Sequence, residues 1–509
     1  MTDIILDSDI AAIAAIQGPS SLAIREWLEE RYRLGYRNWI YVSQQSEILK
    51  QIVADLDRRK ITNSRKVARE ALHSLLQCCM WLSSLSEDAM MLEDSDPVAA
   101  GLNKAAKRVG ESTVIATKME DRLSRGLPFA TIESLMDVPI EQREIRMVDL
   151  GCQQDRIRAG LERKLHSILH HREFIQGPEI RLLEQRLANY VGVDECIAVS
   201  SGTDALLIAL MALGIGPGDE ILTTPFSFIA TAEVIHLVGA TPVYIDVDPR
   251  TGNLDATRLE AAIKQTTRLI LPVSLYGQCA DMTEVMLVAD RHHLPVIEDA
   301  AQSFGATHYN RRSCGLSTIG CTSFFPSKPL GAYGDAGAIF TEDQALAKTM
   351  REIRSHGQSS RYHHLRLGIN GRMDSIQAAV LLEKLSIIDD ELDRRQNIAD
   401  RYNDSLDDLA SQTDLLLPYI CDGNRSAWAQ YTIQIPGRDV LVKMFSEAGI
   451  PSAVHYPNAI FQQPAFLRDI NDCPKSIELA NKVMSIPMHP YLSADMQQRV
   501  VECLYSSIN

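Results

Sequence analysis

No apolar run in this 509-residue chain is long enough to cross a bilayer, which takes about 20 consecutive residues of helix. Its first residues, MTDIILDSDIAAIAAIQG, lack a basic n-region and carry Asp3, Asp7 and Asp9 within the apolar stretch. They read as neither a signal peptide nor an arginine-rich transit peptide. Positive charge is short: 51 Lys and Arg stand against 66 Asp and Glu, a net charge of −15. That argues against general nucleic-acid binding, which needs clustered cations, but leaves room for a local basic patch. The 10 cysteines are scattered, only Cys78 and Cys79 are adjacent, and no Cys/His spacing suggests zinc. Reduced thiols in a cytoplasmic protein are the simplest expectation. Low-complexity tracts and internal repeats are also missing, and 45% hydrophobic with 23% charged residues is an ordinary globular balance.

A chain this long divides into several cores. Its character changes near 137–149. Before that point, Leu22–Leu34, Gln44–Leu56 and Ser64–Leu85 show helical spacing, with short strand candidates at Asp3–Leu6, Trp39–Val42 and Thr113–Ala116. The expectation is an α/β domain over 1–137 and a linker over 138–148. From Val148 onward, strands alternate with helices: CIAVSS, GTDALLIALMALGI, DEILTTP, SFIATAEVIHLVGA, TPVYIDVD, LDATRLEAAIKQ, RLILPVSL, MTEVMLVADRHH and LPVIEDA. Such alternation predicts right-handed crossovers, a mainly parallel sheet over 149–390, and ligands at the carboxyl ends of its strands. The alternation loosens after about Asp390, predicting a smaller α+β domain over 391–509.

Three motifs, the first two at such strand ends, carry chemistry. Ser200-Ser201-Gly202-Thr203 ends a strand and opens a helix, aiming free N–H groups and the positive helix end at an anion. Alone it reads more readily as an ordinary N-capped helix. Asp299 follows LPVIE and precedes Ala300-Ala301. A carboxylate there needs solvent or a cation, and a protonated pyridine nitrogen is one such cation. Alone it reads equally well as a helix cap. Lys328 lies among Phe324, Phe325, Pro326 and Pro329, an apolar setting that lowers a lysine's pKa and frees its amine for imine formation. Ser323 and Ser327 add hydroxyl donors beside it. Phosphate turn, aspartate and lysine in this order are the equipment of a pyridoxal-phosphate enzyme of fold type I.

From about Val148 to the C-terminus the chain resembles the DegT/DnrJ/StrS-type nucleotide-sugar aminotransferases. The matching segments include REFIQGPEIRLLEQRLANYVG, VSSGTDALLIALMALGIGPGDEI, FSFIATAEVIHLVGATPVYIDVD, VIEDAAQSFGA, SFFPSK, GDAGAIFT, GINGRMDSIQAAVLLEKL and VHYP. The resemblance implies that Lys328 binds pyridoxal phosphate covalently and later shuttles a proton. It implies that Asp299 holds the pyridine nitrogen and that Gln302 lies on the phenolic side. Gly202, Thr203 and Ser323 would hold the phosphate, and Phe228 would lie near the ring face. Asn370 would serve the phosphate of a neighbouring subunit, implying a homodimer with shared sites. Lysine at 328, where dehydratase relatives carry histidine, favours transamination. SFFPSKPLGAYGDAG is closer to relatives that aminate a 3-keto sugar than to the SFHPxKxxTxGEGG pattern of C4 enzymes. Glutamate as donor and a UDP- or dTDP-linked 3-keto hexose as acceptor follow, with a role in surface polysaccharide or amino-sugar biosynthesis. Two positions depart from the family pattern: Ala336 stands where GG is usual, and Phe461 where a histidine is frequent.

The first region is similar to a PIN domain, the small α/β nuclease fold. Asp7, Glu47 and Asp96 match its acidic positions, with Asp121 as a fourth, and such a carboxylate set suits Mg²⁺ or Mn²⁺. With 66 acidic residues, accidental spacings are also expected, and Met119 occupies the place of a usual PIN acid. These departures and the acidic overall charge fit an inactive PIN-like fold that serves protein contact or regulation as well as a working nuclease. A metal-dependent ribonuclease, with the aminotransferase region as its dimerising or sensing module, is the alternative reading for the chain. RNA is a partner only if this region cleaves it.

Overall fold

The computed structural model describes residues 145–466 and 472–508, together with five strands between residues 4 and 130. By internal contacts the chain divides into Met1–Arg143 and Glu144–Asn509.

In the first unit the described strands form one parallel sheet. Its order is Met80–Leu82, Asn38–Tyr41, Ile4–Leu6, Val114–Ala116, Phe129–Ala130. The strands at 4–6, 38–41 and 114–116 fall where period and composition place them. Met80–Leu82 corrects the helical reading of Ser64–Leu85 at its far end. The run LLQCCMWL is apolar on every face, and a short run of that kind does not separate a buried strand from a helix by periodicity. The expected helices at Leu22–Leu34 and Gln44–Leu56 lie outside the described residues, as do the acidic positions Asp7, Glu47, Asp96 and Asp121.

In the second unit, two sheets are joined by parallel bridges at Ile270–Val296 and Val273–Asp299. Together they run Thr241–Tyr244, Glu220–Thr223, Thr267–Leu271, Ile297–Asp299, Ile319–Ser323, Gly337–Thr341, Glu195–Val199. All are parallel except Gly337–Thr341, which pairs antiparallel with both neighbours. The mainly parallel sheet is therefore present, with one reversed strand. Helices at 202–212, 282–292 and 344–354 coincide with apolar periodicity. One does not: LDATRLEAAIKQ forms only a 3-10 turn at Ala256–Arg258 and a single α-turn at Leu259–Ala262. Asp255 takes both the backbone N–H and the hydroxyl of Thr257, and the chain is extended again at Ile263. Asp and Thr side chains compete with helical bonding in this way.

Helix Gly202–Ala212 is apolar almost all round because it is covered on two sides. Ala205, Leu206, Ile208, Ala209 and Leu210 are buried, packed with Ile197, Val199, Ile319 and Ile339 of the sheet and Ala347 and Met350 of a neighbouring helix. Beyond helix Ile388–Gln412, a second core gathers Tyr402, Tyr431, Phe445, Met484 and Leu504 around the antiparallel pair Tyr431–Gln434 and Val483–Ile486. This α+β portion returns His455 and Tyr456 to the edge of the large sheet.

Candidate active site

The carboxyl ends of the parallel strands open into a cavity of about 510 Å³. Its walls come from residues at or after the ends of five different strands: Ser201–Thr203, Ser227–Thr231, Val273, Asp299–Gln302 and Ser323–Lys328, closed from the α+β portion by Gln430, His455 and Tyr456. Gly202, Thr203, Phe228, Asp299, Gln302, Ser323 and Lys328 all line it. Asn370 does not. It is exposed and paired with Ser355 through the backbone.

At the start of helix Gly202–Ala212, Ser201 caps the helix by accepting the Asp204 N–H at 3.0 Å. The first-turn N–H groups of Gly202 and Thr203 have no helical acceptor and point at the cavity mouth with the positive helix end. Close packing requires Gly202, because a Cβ there would fall 2.7 Å from Cβ of Ser323. Gly337 is held equally tightly, with a Cβ meeting the Ser201 carbonyl oxygen at 2.4 Å. This leaves a small, donor-rich cradle of the shape and charge that suits a phosphate.

Asp299 ends its strand with its backbone fixed on both sides: its N–H donates to Pro272 O at 2.9 Å, and its carbonyl accepts from Ser274 N at 3.0 Å. The side chain is 5% exposed. Thr231 Oγ1 donates to Oδ2 at 2.8 Å and the Ala301 N–H to Oδ1 at 3.2 Å. Burial pushes this carboxyl above its ordinary range, while those two donors and the Lys328 charge pull it back. Its neighbour Glu298 is fully buried and satisfied within the protein, accepting from Ser274 Oγ, Ser313 Oγ and the Cys314 N–H at 2.8–2.9 Å. Successive strand residues face opposite sides, so one acid of the pair is structural and the other is turned to the cavity.

Lys328 sits in the turn after Ile319–Ser323, its N–H bonded to Phe325 O at 2.9 Å. Burial lowers its amine to about 8, and the nearby Asp299 charge only partly offsets this. Gln302 is locked by its own bonds, accepting from the Tyr276 N–H at 3.0 Å and donating to Tyr456 Oη at 3.0 Å. Phe228, 56% exposed, stands with its ring centroid 6.3 Å from that of Tyr456. His455 is held below its usual pKa by burial and by Lys328, and its Nδ1 lies 3.0 Å from Ser485 Oγ.

This donor set fits pyridoxal phosphate on three counts. A phosphate would meet orphan N–H groups, a ring nitrogen would meet a buried carboxyl whose protein donors are both neutral, and an aldehyde would meet an amine that burial makes nucleophilic.

The model of the DegT/DnrJ/EryC1/StrS aminotransferase family matches residues 155–505. The chain belongs to this family. It is 51% identical over 348 residues to the UDP-2-acetamido-2-deoxy-3-oxo-D-glucuronate aminotransferase of Pseudomonas aeruginosa, covering 68% of this chain and 96% of that protein. Over 366 residues it is 40% identical to the UDP-N-acetyl-3-dehydro-alpha-D-glucosamine 3-aminotransferase of Acidithiobacillus ferrooxidans, covering 72% and 98%. Among solved structures, S. venezuelae DesV in complex with a ketimine intermediate matches with a TM-score of 0.70 and 34% identity, covering 72% of this chain and 98% of that one. The chain is therefore an aminotransferase over its second unit, and the matched residues include the whole cavity.

Several lining residues of this aminotransferase carry no mark of function in the sequence. Thr231 lies in the first turn of the apolar helix Ala230–Leu237, and Gln430 lies in no charged motif. Tyr456 belongs to the VHYP segment that carries the family resemblance, but only the fold brings it to Gln302. Of the two departures, Ala336 is buried without strain beside the turn, and Phe461 packs on Tyr244 at 6.0 Å, outside the cavity lining.

Proposed function

We propose that the cavity moves an amino group from glutamate to C3 of a UDP-linked 3-keto hexose or hexuronate. The observation that carries the transamination is the meeting of Lys328, Asp299 and the helix start Gly202–Thr203 in one cavity. The carbon and the nucleotide are supported by the relatives, two of which are named for UDP-linked 3-oxo or 3-dehydro sugars. Pyridoxal phosphate, when bound, supplies an aldehyde that takes the amino group and a ring that draws electrons from the adjacent carbon.

The protein does the rest. Gly202, Thr203 and Ser323 hold the phosphate, Phe228 covers a ring face, and Gln302 stands on the phenolic side. Asp299 keeps the ring nitrogen protonated. Lys328, lowered to about 8, is neutral often enough at neutral pH that its amine would hold the cofactor's aldehyde and would move a proton at the sugar carbon. The exposed Asn370 serves a second copy of the chain, which makes the working unit a homodimer. The eight described cysteines are free thiols, in keeping with a reducing, cytoplasmic setting.

Purified protein is expected to be yellow, to keep its cofactor on Lys328 after borohydride reduction, and to lose the visible band with glutamate alone. It should then aminate a UDP-linked 3-keto sugar in preference to the 4-keto isomer. Faster turnover of the 4-keto isomer would remove the C3 assignment and leave the transaminase intact.

For residues 1–137 a second reading rests on the position of Ile4–Leu6 at the centre of its parallel sheet, where strand order reverses. Ligands of such sheets bind beyond the carboxyl end at that point, and Asp7 is the next residue in sequence. The PIN-like assignment takes Asp7, Glu47, Asp96 and Asp121 as ligands of Mg²⁺ or Mn²⁺. If the full chain cleaves RNA with Mn²⁺, Asp7→Asn is expected to abolish the cleavage; cleavage that survives the substitution rejects this site.

A further inference from the structure

Asp299 is held by a second hydroxyl layer that the transaminase reading does not require. Thr231 Oγ1 lies 2.8 Å from Asp299 Oδ2 and 3.1 Å from Ser227 Oγ. An ionised carboxylate only accepts, so the Thr231 proton goes to Asp299. Thr231 oxygen is then the acceptor, and Ser227 must donate to it. Both hydroxyls are buried, at 1% and 4% exposure, so bulk water does not replace either bond. The Thr231 N–H also donates to Phe228 O at 3.3 Å, closing the turn that carries Phe228. One segment, Ser227–Thr231, thus supplies both an aromatic ring to the cavity and a directed proton to its carboxylate.

We propose that Ser227 and Thr231 form a positioning relay that fixes the orientation and charge of Asp299 toward the cofactor's ring nitrogen. The proposal rests on the assignment of this cavity to pyridoxal phosphate. Burial alone drives the Asp299 carboxyl toward its neutral form, in which it holds a ring proton poorly. A hydrogen bond donated to the ionised form works against burial. The other donor, the Ala301 N–H, belongs to the loop of Asp299 itself and follows any shift of it. Thr231 comes from helix Ala230–Leu237, so of the two described donors it is the one that ties the carboxylate to an independent element. The titratable groups around Asp299 are Lys328, Tyr456, Glu298 and Cys321. Of these only the Lys328 amine is cationic, and it is the group committed to the aldehyde.

The test uses full-length protein and pyridoxal phosphate, with two readouts besides turnover: the cofactor dissociation constant and the pH midpoint of the bound cofactor's visible absorbance. Thr231→Val keeps the shape and removes the hydroxyl. It is expected to weaken cofactor binding about tenfold to a hundredfold, the usual effect of a lost bond to a charged group. The midpoint is expected to move to higher pH, because a less positive ring withdraws less from the group attached to Lys328. Thr231→Ser should restore both values. Ser227→Ala should shift both in the same direction by less. A Thr231→Val protein with the affinity and midpoint of the parent overturns the proposal. Should Thr231→Val fail to fold, Ser227→Ala decides, and an unmoved midpoint there overturns it too. A parent protein that takes up no cofactor fails the reading of the cavity and the relay together, whereas a yellow parent with unaltered variants fails the relay alone.

Discussion

The large sheet has an opening near each end of its strands, and the two are nearly equal in size. The carboxyl-end cavity holds about 510 Å³; the other, at the amino ends beside Leu213, Lys264, Arg268, His292 and Pro295, about 480 Å³. Size does not distinguish them, but the treatment of charge does. At the amino ends, cationic side chains are answered on the surface, Lys264 by Glu220 at 3.2 Å and Arg268 by Asp219 at 3.4 Å, and His292 Nε2 lies 2.6 Å from Glu260. At the carboxyl ends, Asp299 is buried with neutral donors on both oxygens, and Lys328 carries a depressed pKa. Keeping charge this way costs stability, and such costs collect where chemistry is done.

The sharpest way to break the comparison is to remove the amine. Lys328→Ala is expected to abolish covalent cofactor retention and to lower transamination at least about 10⁴-fold, the upper range for a positioned proton carrier. Borohydride trapping followed by peptide mapping checks it. Asp299→Asn, which keeps the shape and loses the charge, should lower turnover about 10²- to 10³-fold, in line with several kcal/mol for a buried ion pair deprived of one partner. Single-turnover rates with glutamate alone read that loss without the sugar.

A smaller effect sharpens the electrostatic side. The Lys328 amine must be neutral to attack an aldehyde, and its pKa is about 8 where an ordinary lysine has 10.5. Cofactor uptake by the apoprotein should therefore rise with pH through about 8 and level off above it. Between about 8 and 10.5 the unfolded chain holds this proton more tightly than the folded one. The linkage sign is then positive, and this group's contribution makes the apoprotein more stable as pH rises through that window. A midpoint near 10 in stopped-flow uptake would show that the cavity does not desolvate the amine.

What could be read from the sequence follows the same division. Asp299 and the Ser201–Thr203 turn are legible because they stand at strand ends, and Lys328 because it is a lone amine among apolar residues; all three line one cavity. The sheet is legible because its short apolar strands alternate with longer segments of helix length. The reversed strand Gly337–Thr341 is not, since a buried strand carries the same apolar letters in either direction. Thr231 and Ser227 are also silent. A hydroxyl in an apolar helix gives no hint of its partner 68 residues away. The same limit explains Met80–Leu82, where an all-apolar run hid a strand at the end of a helical pattern.

The smallest expected effect lies at the amino-end cavity. Lys264 and Arg268 are 60% and 55% exposed in their side chains, so their ion pairs are screened by water and salt. Exposed pairs of this kind contribute about 0–1 kcal/mol. Thr266 Oγ1 donates to Glu220 as well, so that acid keeps a partner when Lys264 is removed. A Lys264→Ala/Arg268→Ala double variant should therefore unfold in denaturant with nearly the parent's midpoint, and should transaminate at the parent's rate with either substrate saturating. Equal cavities would then differ by chemistry alone. A double variant that keeps its stability but loses turnover would mean that the amino-end opening also handles a ligand, and that paired surface charge is no guide to an idle site.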